Sequence, residues 1–277
     1  MQNVKVCAPH IGNQSHTCFT QEQLKNMVRQ INKYDRDNGI KQKLSEKGSK
    51  MALLDGIKKY MSSRCENDIC RKEPEYKWIK QEPLKKIGRK LEESFRPQMP
   101  YSWKKKPKTW LRTPDIYNVM SQYEKVFPDF LFFGPVPADC PDGIACELSN
   151  ISLDKFSKKG IKRIGIVYNL DNHNEPGSHW VAVFISIPDN SAEYYDSYAV
   201  NPKLSIKNFL ENVAKTYKKP LQVKINKNRH QYGGSECGVF SMNYILERLY
   251  GVSWEEMQKK KVTDKQMNEL RKIFYRP

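Results

Sequence analysis

The chain reads as an α+β domain, a central mixed sheet backed by helices, carried behind a helical arm. Three observations predict this. Before residue 100 the apolar residues recur at helical spacing and no strand pattern is present. After residue 130 short β-branched and aromatic runs follow one another between turn residues. From Cys237 to Leu249 the chain is almost wholly apolar, and Gly251 then stops what would be a buried helix. The arm is assigned to residues 1–100 and the second domain to residues 101–277.

Within the arm, Thr20 caps a helix whose apolar face is Leu24, Met27, Val28 and Ile31, with Gln23 completing a capping box. Asp37, Asn38 and Gly39 end it. A second helix covers Lys50 to Met61 through Met51, Leu54 and Ile57, and a third runs from Pro83 to Phe95 through Leu84, Ile87 and Leu91. Pro97, Pro100, Pro107 and the lysines between them read as a linker. Thr113, Pro114 and Asp115 supply the cap, first-turn proline and acid of a helix with Ile116, Val119, Met120, Tyr123 and Phe127 on one face. DFLFFG at 129–134 is a short buried strand. IGIVYNL, HWVAVFISI, EYYDS and QVKIN are four more, the last reached through a helix capped by Asn201 with Ile206, Phe209, Leu210, Val213 and Tyr217 on one side. Capping boxes at Ser253–Glu256 and Thr263–Gln266 start two short closing helices.

Composition bounds the options. A chain of 277 residues with 38% hydrophobic residues has ample core for one large or two smaller domains. Neither an amino-terminal apolar run nor a window of about eighteen apolar residues is present, so a soluble, cytosolic protein with no membrane partner is expected. Seven cysteines without a regular framework predict reduced thiols. Cys7, His10, His16, Cys18, Cys65 and Cys70 match no zinc-module spacing, and neither a metal nor a cofactor is expected. The net charge of +17 is uneven: residues 1–112 carry 26 Lys/Arg against 12 Asp/Glu, and residues 113–277 carry 22 against 19. That arm suits an anionic partner such as nucleic acid or a particle surface, though a merely solvated helical face has the same composition.

The chemistry gathers around RHQYGGSECGVFSMNYILERLY at 229–250. Cys237 stands where a glycine-bearing loop meets the buried helix, so unpaired backbone N–H groups and the positive end of the helix dipole favour a thiolate. Gly233 and Gly234 are expected to supply unusual backbone angles, and Ser235 to accept bonds from the first turn. A thiol nucleophile needs a base, an orienting group and oxyanion donors. Of the five histidines only His179 begins a strand, where a rigid element holds the imidazole. Asp196 lies at the end of the returning strand, and a hairpin would set it beside His179 to accept the other ring N–H. Gln231, in the loop before Cys237, can donate its amide to a tetrahedral oxyanion beside the Cys237 backbone N–H.

TWLRTPDI at 109–116, SHW at 178–180, YYDS at 194–197 and HQYGGSECGVFSMNYI at 230–245 together resemble the ubiquitin-like-protein-specific cysteine proteases. That group includes the SUMO proteases and the adenovirus and African swine fever virus proteases. The resemblance implies a papain-like, adenain-type fold, a triad of His179, Asp196 and Cys237, and Gln231 as oxyanion donor. It also implies that Trp110 and Trp180 wall a channel to the nucleophile, a slot that admits glycine and rejects side chains. The basic arm is similar to that of the African swine fever virus enzyme. This implies a cysteine endopeptidase cutting at Gly-Gly-Xaa in capsid polyproteins, found at assembly sites in the host cytoplasm and in the virion. One departure is Asp196, where the virus enzyme has asparagine and the SUMO proteases have aspartate. Deconjugation of a ubiquitin-like protein therefore stands as the alternative. An acetyltransferase on the same triad and a basic nucleic-acid-binding protein stand behind it.

Overall fold

A computed structural model describes residues 6–11, 16–65, 74–140, 146, 148 and 151–277. The chain forms two compact units, residues 1–96 with 276–277, and residues 97–275.

In the first unit, α1 (Gln21–Asp37) starts with the Thr20/Gln23 capping box and α2 (Lys50–Ser63) is capped by Ser49. Leu24, Met27, Val28 and Ile31 of α1 share one core with Leu53, Leu54, Ile57, Tyr60 and Met61 of α2. The expected third helix is broken. A short turn α3 (Glu75–Trp78) precedes it, and the segment itself becomes a 3₁₀ turn at Lys85–Ile87 followed by α4 (Gly88–Glu92). Close approach marks the junction of the two: a Cβ at Gly88 would lie 2.2 Å from the Ile79 carbonyl oxygen, so the chain packs against the preceding turn there. Cys7 is bonded to Cys18, which departs from the expectation of reduced thiols, and in the second unit Cys140 lies against Cys146. Folding brings the Cys7 and Cys18 Cα atoms to 5.1 Å, a proximity their spacing did not reveal. Cys70 lies outside the described residues.

In the second unit, α5 (Thr113–Glu124) has Arg112, not Thr113, as its cap, because the Asp115 carboxylate turns back to the Arg112 backbone N–H. Then come β1 (Phe130–Pro137), α6 (Leu153–Lys158), β2 (Arg163–Asn169), β3 (Trp180–Ser186), β4 (Ser191–Tyr195), α7 (Leu204–Thr216) and β5 (Gln222–Ile225). Lys203 rather than Asn201 precedes α7, since Pro202 and the two residues before it run on as irregular chain. The last three helices are α8 (Cys237–Leu249), α9 (Trp254–Lys259) and α10 (Asp264–Phe274). The strands lie in the order β1-β2-β3-β4-β5; the outer pairs are parallel and the two inner pairings antiparallel.

Strand β3 is buried on both faces, which is why it reads as a continuous apolar run. Its alternation divides the core. Trp180, Ala182 and Phe184 pack with α8 and α5 on one side, and Val181, Val183 and Ile185 pack with α7 on the other. Helix α8 is buried almost all round and is tied to β4 by a charge network. The buried Glu193 carboxylate accepts from Arg248 Nε at 2.8 Å, Arg248 Nη2 at 2.9 Å, Tyr244 Oη at 2.6 Å and Ser191 Oγ at 2.6 Å. The element that carries Cys237 is thereby joined to the strand that Asp196 follows. Among the described residues no helix is long and apolar enough to cross a membrane.

Candidate active site

Three separated segments converge at the carboxyl end of the hairpin. His179 immediately precedes β3 and Asp196 immediately follows β4, and the antiparallel register (Ala182 opposite Tyr195) brings them together. The imidazole Nε2 lies 2.7 Å from Asp196 Oδ1. Cys237, the first residue of α8 and the only free cysteine among the described residues, is buried and interacts with the same ring. Since Nε2 faces the carboxylate, Nδ1 is the nitrogen left for the sulfur. Burial alone would lower the imidazole pKa. The hydrogen bonds that the ring donates to Asp196 and Cys237, and the negative charges of those groups, outweigh it and raise His179 to about 9. At neutral pH the ring therefore holds its proton beside the sulfur, the state in which a thiol protease attacks and later protonates a leaving amine.

Asp196 is fully buried and held from several directions. Its Oδ1 also accepts from the Tyr198 backbone N–H at 2.8 Å. The Asn226 side chain brackets its backbone, accepting from Asp196 N at 2.8 Å and donating to Asp196 O at 2.8 Å. Asn226 was not anticipated, because nothing local distinguishes it from any strand-ending asparagine.

Gln231 is fully buried. Its Oε1 accepts from Ser197 Oγ at 2.6 Å, and its Nε2 donates to Gly233 O at 2.9 Å and to Tyr198 Oη at 3.1 Å. The amide is thus beside the nucleophile loop with its donors turned onto that loop in the resting structure. Service to an oxyanion requires it to exchange one of these acceptors. Two expectations about this loop are corrected. Neither Gly233 nor Gly234 takes a positive φ; a Cβ at Gly233 would instead meet Glu236 Oε2 at 2.7 Å. The cap of α8 is Glu236 rather than Ser235, and Ser235 donates to its carboxylate through Oγ at 2.9 Å and the backbone N–H at 3.0 Å. Burial works against the Glu236 carboxylate, but these bonds, the Asn268 amide and the Arg271 charge hold it below the usual range.

Trp180 is buried, and its indole N–H donates to Leu111 O at 2.9 Å. Trp110, the neighbour of Leu111, is 44% exposed. Arg271 of α10, also unanticipated, joins this segment to the nucleophile loop. It donates to Thr109 O at 2.6 Å and to Ser235 O at 2.8 Å. Gly238, directly after the nucleophile, is closely packed: a Cβ there would meet Leu111 Cδ1 at 3.1 Å and Trp180 Cδ1 at 3.2 Å. Gly238→Ala should therefore push Leu111 and Trp180 outward by a few tenths of an ångström. The expected result is a kcat/KM lowered on the order of threefold to tenfold with an unchanged or raised melting temperature, since alanine is the better helix former. Peptide hydrolysis and thermal melting of the same variant measure both.

Comparison with known proteins decides the family. Residues 155–277 match the Ulp1 protease family, C-terminal catalytic domain. A protein of Acanthamoeba polyphaga mimivirus, named as a thiol protease, is 31% identical over 293 aligned positions covering 99% of this chain and 94% of its own length. The chain belongs to the Ulp1 protease family of cysteine proteases. A cysteine protease of African swine fever virus is 30% identical to this Ulp1-family protease over 128 positions, 44% of this chain and 47% of its own. The crystal structure of an African swine fever virus protease superposes with a TM-score of 0.67 at 21% identity, covering 98% of this chain and 95% of that one. That likeness bears on the fold, an adenain-like mixed sheet with helices, and it spans the arm as well as the catalytic domain.

Proposed function

We propose that this cysteine protease is an endopeptidase that cuts after glycine, at Gly-Gly-Xaa sites, and processes viral capsid or core polyproteins during virion maturation. In this reading Cys237 attacks the carbonyl that follows the glycine Cα, and Gln231 with backbone N–H groups holds the oxyanion. His179, steadied by Asp196, returns the proton to the leaving amine, and water then hydrolyses the acyl enzyme. The observation that carries the specificity is the crowding at the first turn of α8. Trp180 and Leu111 close on Gly238, the residue after the nucleophile, so that even a methyl group there would have to displace them by a few tenths of an ångström. A wall of that kind favours a substrate residue without a side chain. The match to a mimivirus thiol protease over 99% of this chain supports a viral setting, and in this reading the enzyme acts at assembly sites in the host cytoplasm and in the virion. The excess of 21 Lys/Arg over 12 Asp/Glu in residues 1–100 supports contact of the arm domain with nucleic acid or an anionic particle.

The test is cleavage-site mapping with the full chain on candidate capsid precursors and on Gly-Gly-Xaa peptides. New amino termini directly after Gly-Gly, absent with Cys237→Ala, are expected. Equal cutting when the second glycine is replaced by alanine would remove the specificity. Asp196, shared with the SUMO-type members of the group that the sequence resembles, keeps one second reading in view: release of a ubiquitin-like protein. Rapid labelling of Cys237 by a SUMO or ubiquitin vinyl sulfone, with no cleavage of capsid precursors, would favour it.

A further inference from the structure

His179 immediately precedes β3, and Tyr198 lies in the turn that follows β4, two residues beyond Asp196. Their side chains meet. The imidazole and phenol rings stack with centroids 4.8 Å apart and planes 22° apart. The phenol hydroxyl donates to Gly233 O at 2.7 Å and accepts from Gln231 Nε2 at 3.1 Å. One half-buried side chain thus lies against the base at its ring and against the oxyanion amide at its hydroxyl. Ser197, the preceding residue, holds the other end of that amide.

We propose that Tyr198 is a positioning residue of this protease: its ring braces the His179 imidazolium and its hydroxyl sets the rotation of the Gln231 amide. The inference rests on the assignment of His179, Asp196, Cys237 and Gln231 to the catalytic machinery. Its physical basis is twofold. An aromatic face within about 6 Å of a cation stabilises it, so the stack favours the protonated ring over the neutral one. A buried primary amide whose oxygen and nitrogen have separate partners cannot flip, and removal of the hydroxyl takes away one of three restraints on it.

The charged and titratable groups around the pair are few. Asp196 and Cys237 face the imidazole, the Arg229 guanidinium carbon lies over the Tyr198 ring at 5.2 Å, and Asp264 and Glu236 act on the phenol. Arg229 also donates to Gln231 O at 2.8 Å, so it belongs to the same assembly. Burial and the negative sulfur hold the Tyr198 phenol above its usual range, so it stays a neutral donor while the imidazole titrates.

The experiment compares Tyr198→Phe and Tyr198→Leu in the full chain by three measurements: kcat and KM on a Gly-Gly peptide, the pH profile of kcat/KM, and NMR titration of the His179 ring. Tyr198→Phe keeps the stack and loses the hydroxyl. It should lower kcat about threefold to tenfold at unchanged KM and leave the His179 titration where it is. Tyr198→Leu loses both, and the His179 titration and the basic limb should move down by about half a pH unit. The proposal is overturned if the leucine variant titrates like the native protein while its melting temperature shows it folded, or if phenylalanine shifts the titration as far as leucine does. Substantial hydrolysis by Cys237→Ala or His179→Ala would instead overturn the underlying assignment, and this is read without any Tyr198 variant.

Discussion

Cys237→Ala is expected to abolish peptide hydrolysis, with kcat/KM lower by on the order of 10⁴-fold or more, and His179→Ala should come close to it. The reason is that the two groups act as one. The sulfur attacks as an anion only while the imidazole holds the proton, and the imidazole has a proton to return to the leaving amine only because it took the thiol's. The double variant should therefore be scarcely worse than either single one, a gross departure from additivity. Both residues sit at element starts, His179 before β3 and Cys237 at the first position of α8, so neither substitution removes a ladder bond or an internal turn of helix. Near-native melting of each variant, measured beside the initial rates, would separate lost chemistry from lost fold. Substantial hydrolysis by Cys237→Ala would sink the assignment of the nucleophile.

Substitution of Asp196 should divide orientation from charge. Asp196→Ala removes the acceptor 2.7 Å from the His179 ring and the partner of the Tyr198 N–H, and kcat/KM is expected to fall about 10²- to 10³-fold. Asp196→Asn keeps a carbonyl oxygen for both contacts and loses only the charge. An imidazolium donates from both nitrogens, so no tautomer is made wrong, and the loss at slightly acid pH should be about tenfold. The pH profile carries the sign. With the native carboxylate the ring is protonated below about 9 and activity declines as pH rises through that value. In Asp196→Asn the burial that opposes protonation remains while an opposing carboxylate is gone, so the basic limb should move to lower pH. A basic limb that stays near pH 9 in the asparagine variant would show that Asp196 does not set the charge on His179.

The residues of the hairpin show how much the sequence could reveal. The alternation within HWVAVFISI and the short turn after it were enough to foresee that His179 and Asp196 meet, because strand pairing converts sequence intervals into distance by a fixed rule. The capping boxes at Thr20, Ser253 and Thr263 were equally legible, since a cap is local chemistry between a residue and its third neighbour. The third arm helix differs at Gly88, which packs on a carbonyl nine residues away in sequence, and periodicity carries no sign of that. Asn226, Arg271 and the close contacts at Gly238 were hidden for the same reason: their partners, Asp196, Thr109 and Leu111, come from distant segments. Tyr198 lies between these cases. It lies only two residues past Asp196, but in the turn after the returning strand, so its stack on the imidazole follows from that turn and not from the ladder.

The Glu193–Arg248 pair has a consequence for aim. Apolar side chains surround α8 on nearly every side, so burying greasy surface would tolerate several rotational settings of that rod about its own axis. A slip of one position would swing the sulfur by about 100° away from its imidazole. Only one azimuth lets the guanidinium at the far end reach both carboxylate oxygens, and through about three turns of stiff helix that choice decides where the thiol points.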